Sequence, residues 1–177
     1  MSSLHLQADL QLMNRNLILR RRIKWLTWLF IIGLVLSGVT AVPLQFEVNW
    51  LADHWVATGG SSVMGTWLLR VRDALNDTAQ HRPFLFYGTD WLAFGHLMIA
   101  VAFAGALRDP VRNRWLFDFG LVACGLVIPF AVVMGSLRGI PLWWRMIDCS
   151  FGVGGSVPLW FCRKWADELE RSLKLPA

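Results

Sequence analysis

The amino-acid sequence predicts an all-α fold: an integral membrane bundle of four transmembrane helices, with amphipathic helices in the first outer loop. Three observations carry that prediction. The 177 residues are 55% hydrophobic and only 16% charged, against roughly 25% charged in an average soluble domain. Long uncharged runs recur at lengths that fit the about 20 residues needed to cross a bilayer. Basic residues and tryptophans then fall at the ends of those runs in a consistent pattern. The same composition excludes a disordered chain, and three cysteines do not make a disulfide scaffold.

The elements follow in chain order within one membrane domain, residues 1–177. Residues 1–24 form an N-terminal segment in which Leu6, Leu10, Met13 and Leu17 recur at helical spacing before Arg20-Arg21-Arg22. This segment reads as a topology signal; its alternative is a surface helix whose basic end meets anionic lipid. Span one, residues 25–44, has no charged residue. Val39-Thr40-Ala41 resembles a signal-peptidase site, but the long basic leader and long apolar stretch argue against cleavage, which would leave three spans. Residues 45–90 form the one long loop. Leu44, Val48, Leu51 and Trp55 recur at helical spacing, as do Met64, Leu68, Val71 and Leu75, with Ser61 or Ser62 placed to cap the second helix. Span two covers residues 91–107 and contains His96; span three covers 115–137 and contains Asp118. Span four, residues 140–162, carries Arg145 and Asp148 near its start and is apolar from Cys149 onward. Pro129 and Pro158 predict kinks in spans three and four. Small residues four apart, Ser150 with Gly154 and Gly152 with Ser156, predict close helix packing on span four. The tail, 163–177, extends that helix.

Cytoplasmic flanks are rich in Lys and Arg. Twelve basic residues fall on the side of the N-terminal segment, the 108–114 link and the tail, and five on the side of the long loop. Both termini are therefore expected in the cytoplasm. Tryptophan supplies a check built on different physics. Trp25, Trp28, Trp115, Trp160 and Trp165 fall at the expected inner ends, and Trp91, Trp143 and Trp144 at the outer ends.

Ionisable groups in a span are costly, so they face protein and find partners. At about 1.5 Å per residue, His96 lies roughly 9 Å inward of Asp90, and Asp148 about 10 Å inward of Pro141. Glu47, Asp90, His96, Arg138, Arg145 and Asp148 therefore all fall toward the outer face. Read as a site, Arg138 and Arg145 would hold an anionic group, with Asp90 and Glu47 beside them, and His96 and Asp148 would be the acid–base pair. Read as structure, they form an ion-pair network in which Arg145 bonds Asp148 three residues on. Asp118 is expected to pair with Arg114, four residues before it.

Several chemistries lack their residues. Cys124, Cys149 and Cys162 sit at different depths and include no CxxC. No His, Cys or carboxylate cluster has zinc-ligand spacing. No phosphate-binding glycine loop or nucleophile elbow occurs. No cofactor is expected; a single haem, using His96 with His54 or His81, is the one alternative kept open. The expected partners are the lipid bilayer and other membrane subunits or a second copy, and not nucleic acid.

The stretches FYGTDWLAFGH (86–96), RDPVRN (108–113) and RGIPLWWRMIDC (138–149) resemble those of uncharacterised bacterial four-span membrane proteins. The resemblance implies a bacterial inner membrane and brings no catalytic residue with it. The leading expectation of function is an accessory or assembly subunit of a membrane complex, working through helix packing. The alternatives are a membrane enzyme acting on a lipid or amphiphile at an outward-facing polar pocket, and an oligomeric small-solute or proton transporter.

Overall fold

The computed structural model describes residues 3–57 and 62–174. Among them lie six α-helices: α1 (Ser3–Ala41), α2 (Leu44–Ala57), α3 (Val63–His81), α4 (Tyr87–Arg108), α5 (Trp115–Leu137) and α6 (Leu142–Lys174). A 3₁₀ turn, Pro83–Phe86, leads into α4. The all-α class is thus observed. Three stretches are long and apolar enough to cross a membrane: Asp9–Ala41, Pro83–Arg108 and Trp115–Leu137. The fourth expected span lies within α6, which has the length. Its apolar run is diluted by Arg145, Asp148, three glycines and Pro158.

Element ends follow local chemistry. The N-terminal segment is not a separate surface helix, because α1 runs unbroken from Ser3 through the first span. Pro43 disfavours helical backbone at Val42, so α1 stops at Ala41, three residues before the expected end. Pro43 then opens α2 by accepting the Glu47 backbone N–H at 3.0 Å. Ser62 caps α3, its hydroxyl oxygen accepting the Gly65 N–H at 3.1 Å; Ser61 lies outside the described residues. Both α5 and α6 continue through Pro129 and Pro158.

The chain divides into two compact units, Met1–Ile32 with Val101–Ala177, and Gly33–Ala100. In the first, α5 and α6 form a hairpin. Its turn is a Schellman motif: Ile140 N–H donates to Gly135 O (2.8 Å) and Gly139 N–H to Ser136 O (3.2 Å). The motif needs a left-handed residue after the helix, and Gly139 supplies it with φ +66°. Small residues bring the helices together. A Cβ on Gly152 would lie 2.6 Å from the Cys124 carbonyl oxygen, and one on Gly155 2.9 Å from Cys124 Sγ. The contact face therefore runs through Gly152 and Gly155. Gly154 faces open space, and Ser150 and Ser156 bond carbonyls of their own helix. Beside this hairpin, Ile23, Phe103, Phe117 and Leu159 are fully buried. Thr27 is buried too, donating to Ile23 O at 2.8 Å and lying 3.8 Å from Cys162 Sγ.

In the second unit, α2 and α3 pack around Val48, Ala52 and Leu68, with Leu44, Trp55 and Leu75 against them. Leu51 and Met64, part of the expected apolar stripes, are exposed instead. Ala52 and Gly65 take the buried places because small residues let the two short helices approach. Where α1 meets α4, a Cβ on Gly38 would lie 3.0 Å from Ala93 O and 3.2 Å from His96 Cβ.

Candidate functional site

Three polar constellations join helices. The first lies where α6 passes the start of α5. Arg163 Nε donates to Asp118 Oδ1 at 2.6 Å, and its Nη1 meets Asp167. Arg114 Nη1 donates to Asp167 Oδ1 (3.1 Å) and Glu170 Oε2 (2.6 Å). Lys174 donates to Glu170 Oε1 at 2.6 Å. The expected Arg114–Asp118 pair does not form. Arg114 stands at the N-cap of α5, opposite the acids of the α6 extension, so both residues turn across the hairpin rather than along it. The Asp167 hydrogen bond, and then Asp118, hold Arg163 more firmly protonated than usual. The Lys174 ammonium, with Arg114 behind it, holds the Glu170 carboxyl below its usual range. Arg15 and Glu168 form a further pair, and Ser172 donates to Asn16 Oδ1 at 2.6 Å.

The second constellation is Arg145. Its side chain lies over Gly135, where a Cβ would come 2.3 Å from Arg145 Cδ. Only glycine leaves that channel open. The guanidinium Nη1 reaches Val132 O at 3.2 Å and the Ser136 hydroxyl. It does not bond Asp148, as the ion-pair reading required, because the path over Gly135 carries the guanidinium to α5. Arg145 Nε and Trp143 Nε1 are buried without a hydrogen-bond partner. Asp148 is half-buried and Arg138 is exposed at the C-cap of α5; among the described residues neither enters an ion pair.

The third constellation belongs to the α2–α3 hairpin. Gln45 and Asn49 both donate to Asn76 Oδ1, at 2.8 and 3.1 Å, and Asn76 donates back to Asn49 Oδ1 at 3.2 Å. Arg72 adds an ion pair to Asp53 at 3.7 Å. In this unit Glu47 is half-buried in the first turn of α2, and Asp90 is exposed at the start of α4. His96 Nδ1 bonds Leu92 O one turn back at 2.8 Å. A neutral ring held that way presents Nε2 as an acceptor.

The six residues singled out from sequence are therefore divided: Glu47, Asp90 and His96 in the second unit, Arg138, Arg145 and Asp148 in the first. Sequence reasoning missed the α5–α6 lattice and the Gln45/Asn49/Asn76 cluster. A signal for the lattice was present, since Arg163, Asp167, Glu170 and Lys174 recur every three or four residues on one helix face. Among the described residues, no three His, Cys, Asp or Glu side chains converge as metal ligands. Compared with protein-family models, curated proteins and solved structures, the chain finds no match.

Proposed function

We propose that this chain is a multi-pass protein of a bacterial inner membrane, with both termini in the cytoplasm and α6 crossing as a fourth span over residues 140–162. Its role in this reading is to pack against other membrane helices as an accessory or assembly subunit. One observation carries the choice over catalysis. The interhelical polar side chains are committed to holding helices: Arg145 to α5, Arg163 and Arg114 across the hairpin, and Asn76 to α2. The outward face of α5 supports it further. Val122, Leu126, Phe130, Val133 and Leu137 recur every three or four residues and are all more than half exposed, as a surface meant for lipid or another helix requires.

The test is the native mass of the tagged protein extracted gently from its own membranes. Co-purification of a second membrane protein in fixed ratio, lost on Leu126→Ala/Phe130→Ala, is the expected result. A lone species of one chain overturns the subunit role. A second reading, binding of an anionic amphiphile beside Arg145, is favoured by the unpartnered Arg145 Nε and Trp143 Nε1. It predicts that Arg145→Gln leaves protein levels intact while removing function; loss of the protein itself makes Arg145 structural.

A further inference from the structure

At the end of the first unit that carries residues 15–24, the cations fall into two sets. One set is neutralised: Arg15 by Glu168, Arg114 by Asp167 and Glu170, Arg163 by Asp118 and Asp167, Lys174 by Glu170. Those pairs use every acid of α5 and of the α6 extension. The other set has no acid. Arg20, Arg21 and Lys24 of α1 enter no ion pair among the described residues, nor do Arg108, Arg112, Lys164 and Arg171 elsewhere at this end. Arg22 lies instead on the Trp165 ring, 5.7 Å from its centroid.

Two adjoining grooves between α1 and α6 lie at this second set. The first, about 330 Å³, has polar walls that include Gln11, Asn14 and the Arg15–Glu168 pair. The second, about 490 Å³, is lined by Ile18, Arg21, Trp25 and Leu26. Ile18, Arg22 and Trp165 belong to both. Their centres along α1 lie about 10 Å apart at the helical rise, with the apolar groove on the side of the membrane-crossing stretch. Two mainly apolar grooves, the first with more polar groups in its walls, thus meet at arginine and tryptophan, and Arg21 and Arg22 there have no acid.

We propose that this double groove binds one anionic phospholipid, its phosphate held by Arg21 and Arg22 beside Ile18 and the start of an acyl chain lying along Trp25 and Leu26. Guanidinium groups suit phosphate because their planar N–H pairs match two phosphate oxygens. Trp165 orients Arg22 through a cation–π contact. The Arg15–Glu168 pair cancels, so two positive charges remain. They repel the ammonium of a zwitterionic lipid and accept a headgroup without one. The groove follows from these contacts, but the lipid occupant rests on the reading of the chain as a membrane protein.

Alkaline washing of membranes comes first. Release of the protein into the soluble fraction overturns the membrane reading, and this site with it. The retained protein is then placed in bilayers of equal phosphatidylglycerol and phosphatidylethanolamine, and bound lipid is counted by native mass spectrometry. Wild type is expected to retain phosphatidylglycerol in preference. Arg21→Gln/Arg22→Gln is expected to lower that retention by about 30-fold, given the worth of two cations at a membrane surface. Arg20→Gln/Lys24→Gln removes the same charge outside the groove and is expected to keep it. Equal loss in both double variants, or none in the first, overturns the site. Ile18→Glu, at an exposed position in the shared wall, gives a second test if the arginine variant does not accumulate: undiminished retention there also overturns it.

Discussion

Replacing Gly152 with alanine sets a methyl carbon 2.6 Å from the Cys124 carbonyl oxygen and 2.8 Å from Val127 Cγ1. Carbon against a carbonyl oxygen ordinarily stops at about 3.3 Å. The two helices must therefore part by roughly 0.7 Å, which loosens the contacts of Gly155 and Leu159 in the next two turns of α6. Overpacking of this kind costs about 1–3 kcal/mol. The alanine returns up to about 1 kcal/mol of helix propensity. A net loss of about 1–2 kcal/mol is expected. Gly154→Ala is the internal control, because nothing lies within 4 Å of its added carbon and only the propensity gain applies. The two alanines, two residues apart on one helix, should thus differ by about 2 kcal/mol, or about 30-fold in the folded-to-unfolded ratio. Reversible unfolding in mixed micelles, followed by tryptophan fluorescence, measures both. Equal stabilities, or a less stable Gly154→Ala, would show that α6 does not meet α5 through Gly152 and refute the reasoning.

Three further predictions use the same assay or a titration. Gly139→Ala should destabilise by about 1–2 kcal/mol, since the Schellman turn holds that residue at φ +66° and a Cβ is penalised there; an unchanged midpoint would mean a different turn. A double-mutant cycle on Asp118 and Arg163 should return a coupling of up to about 1 kcal/mol, while the cycle on Arg114 and Asp118 should return none; the opposite order would restore the pairing along α5. Glu170 titrates below the usual carboxylate range because of its hydrogen bond to Lys174. Its contribution is therefore present above the ordinary carboxylate pKa and lost as pH falls through the lowered value. Lys174→Gln should move the Glu170 carboxyl titration upward by NMR, and an unmoved titration would remove Lys174 as the cause.

What was legible in the sequence is what depends on runs and periods. Long apolar stretches mark α1, α4 and α5 because hydropathy adds along a segment. The cap at Ser62 and the helices of the 45–90 loop were legible from local spacing. Register was not. Most of the two apolar stripes of the 45–90 loop packs in the α2–α3 core, but Leu51 and Met64 are exposed while Ala52 and Gly65 are buried, because close approach rewards the small residue and not the most apolar one. The α5–α6 contact shows the same preference: of the small residues spaced four apart, Ser150 with Gly154 and Gly152 with Ser156, only Gly152 joins it, together with Gly155 three residues on. Polar partners were the least legible. Arg114 lies one turn from Asp118 in sequence, and only the length of α6 past Cys162 brings Asp167 and Glu170 opposite it.

Arginine in this chain does two different jobs, and the neighbouring helix decides which. Arg145 sits in an expected span, where an unpaired cation is costly. Gly135 opens a channel for its methylenes, and Val132 O and Ser136 supply acceptors at the end of it. The charge is then spent on joining α6 to α5. Arg21 and Arg22 have no such provision. The acids of α5 and of the α6 extension are already paired, and the surface facing Arg22 is the Trp165 ring, which orients a guanidinium without accepting its hydrogen bonds. Those donors still need acceptors, and at the edge of a bilayer lipid phosphates are abundant acceptors. The same substitution, arginine to glutamine, should therefore separate the two jobs: at Arg145 it loosens the hairpin and lowers stability, whereas at Arg21 and Arg22 it leaves stability in detergent nearly unchanged and removes the bound lipid. Equal destabilisation at both places would mean that Arg21 and Arg22 also serve the fold, and the distinction would fail.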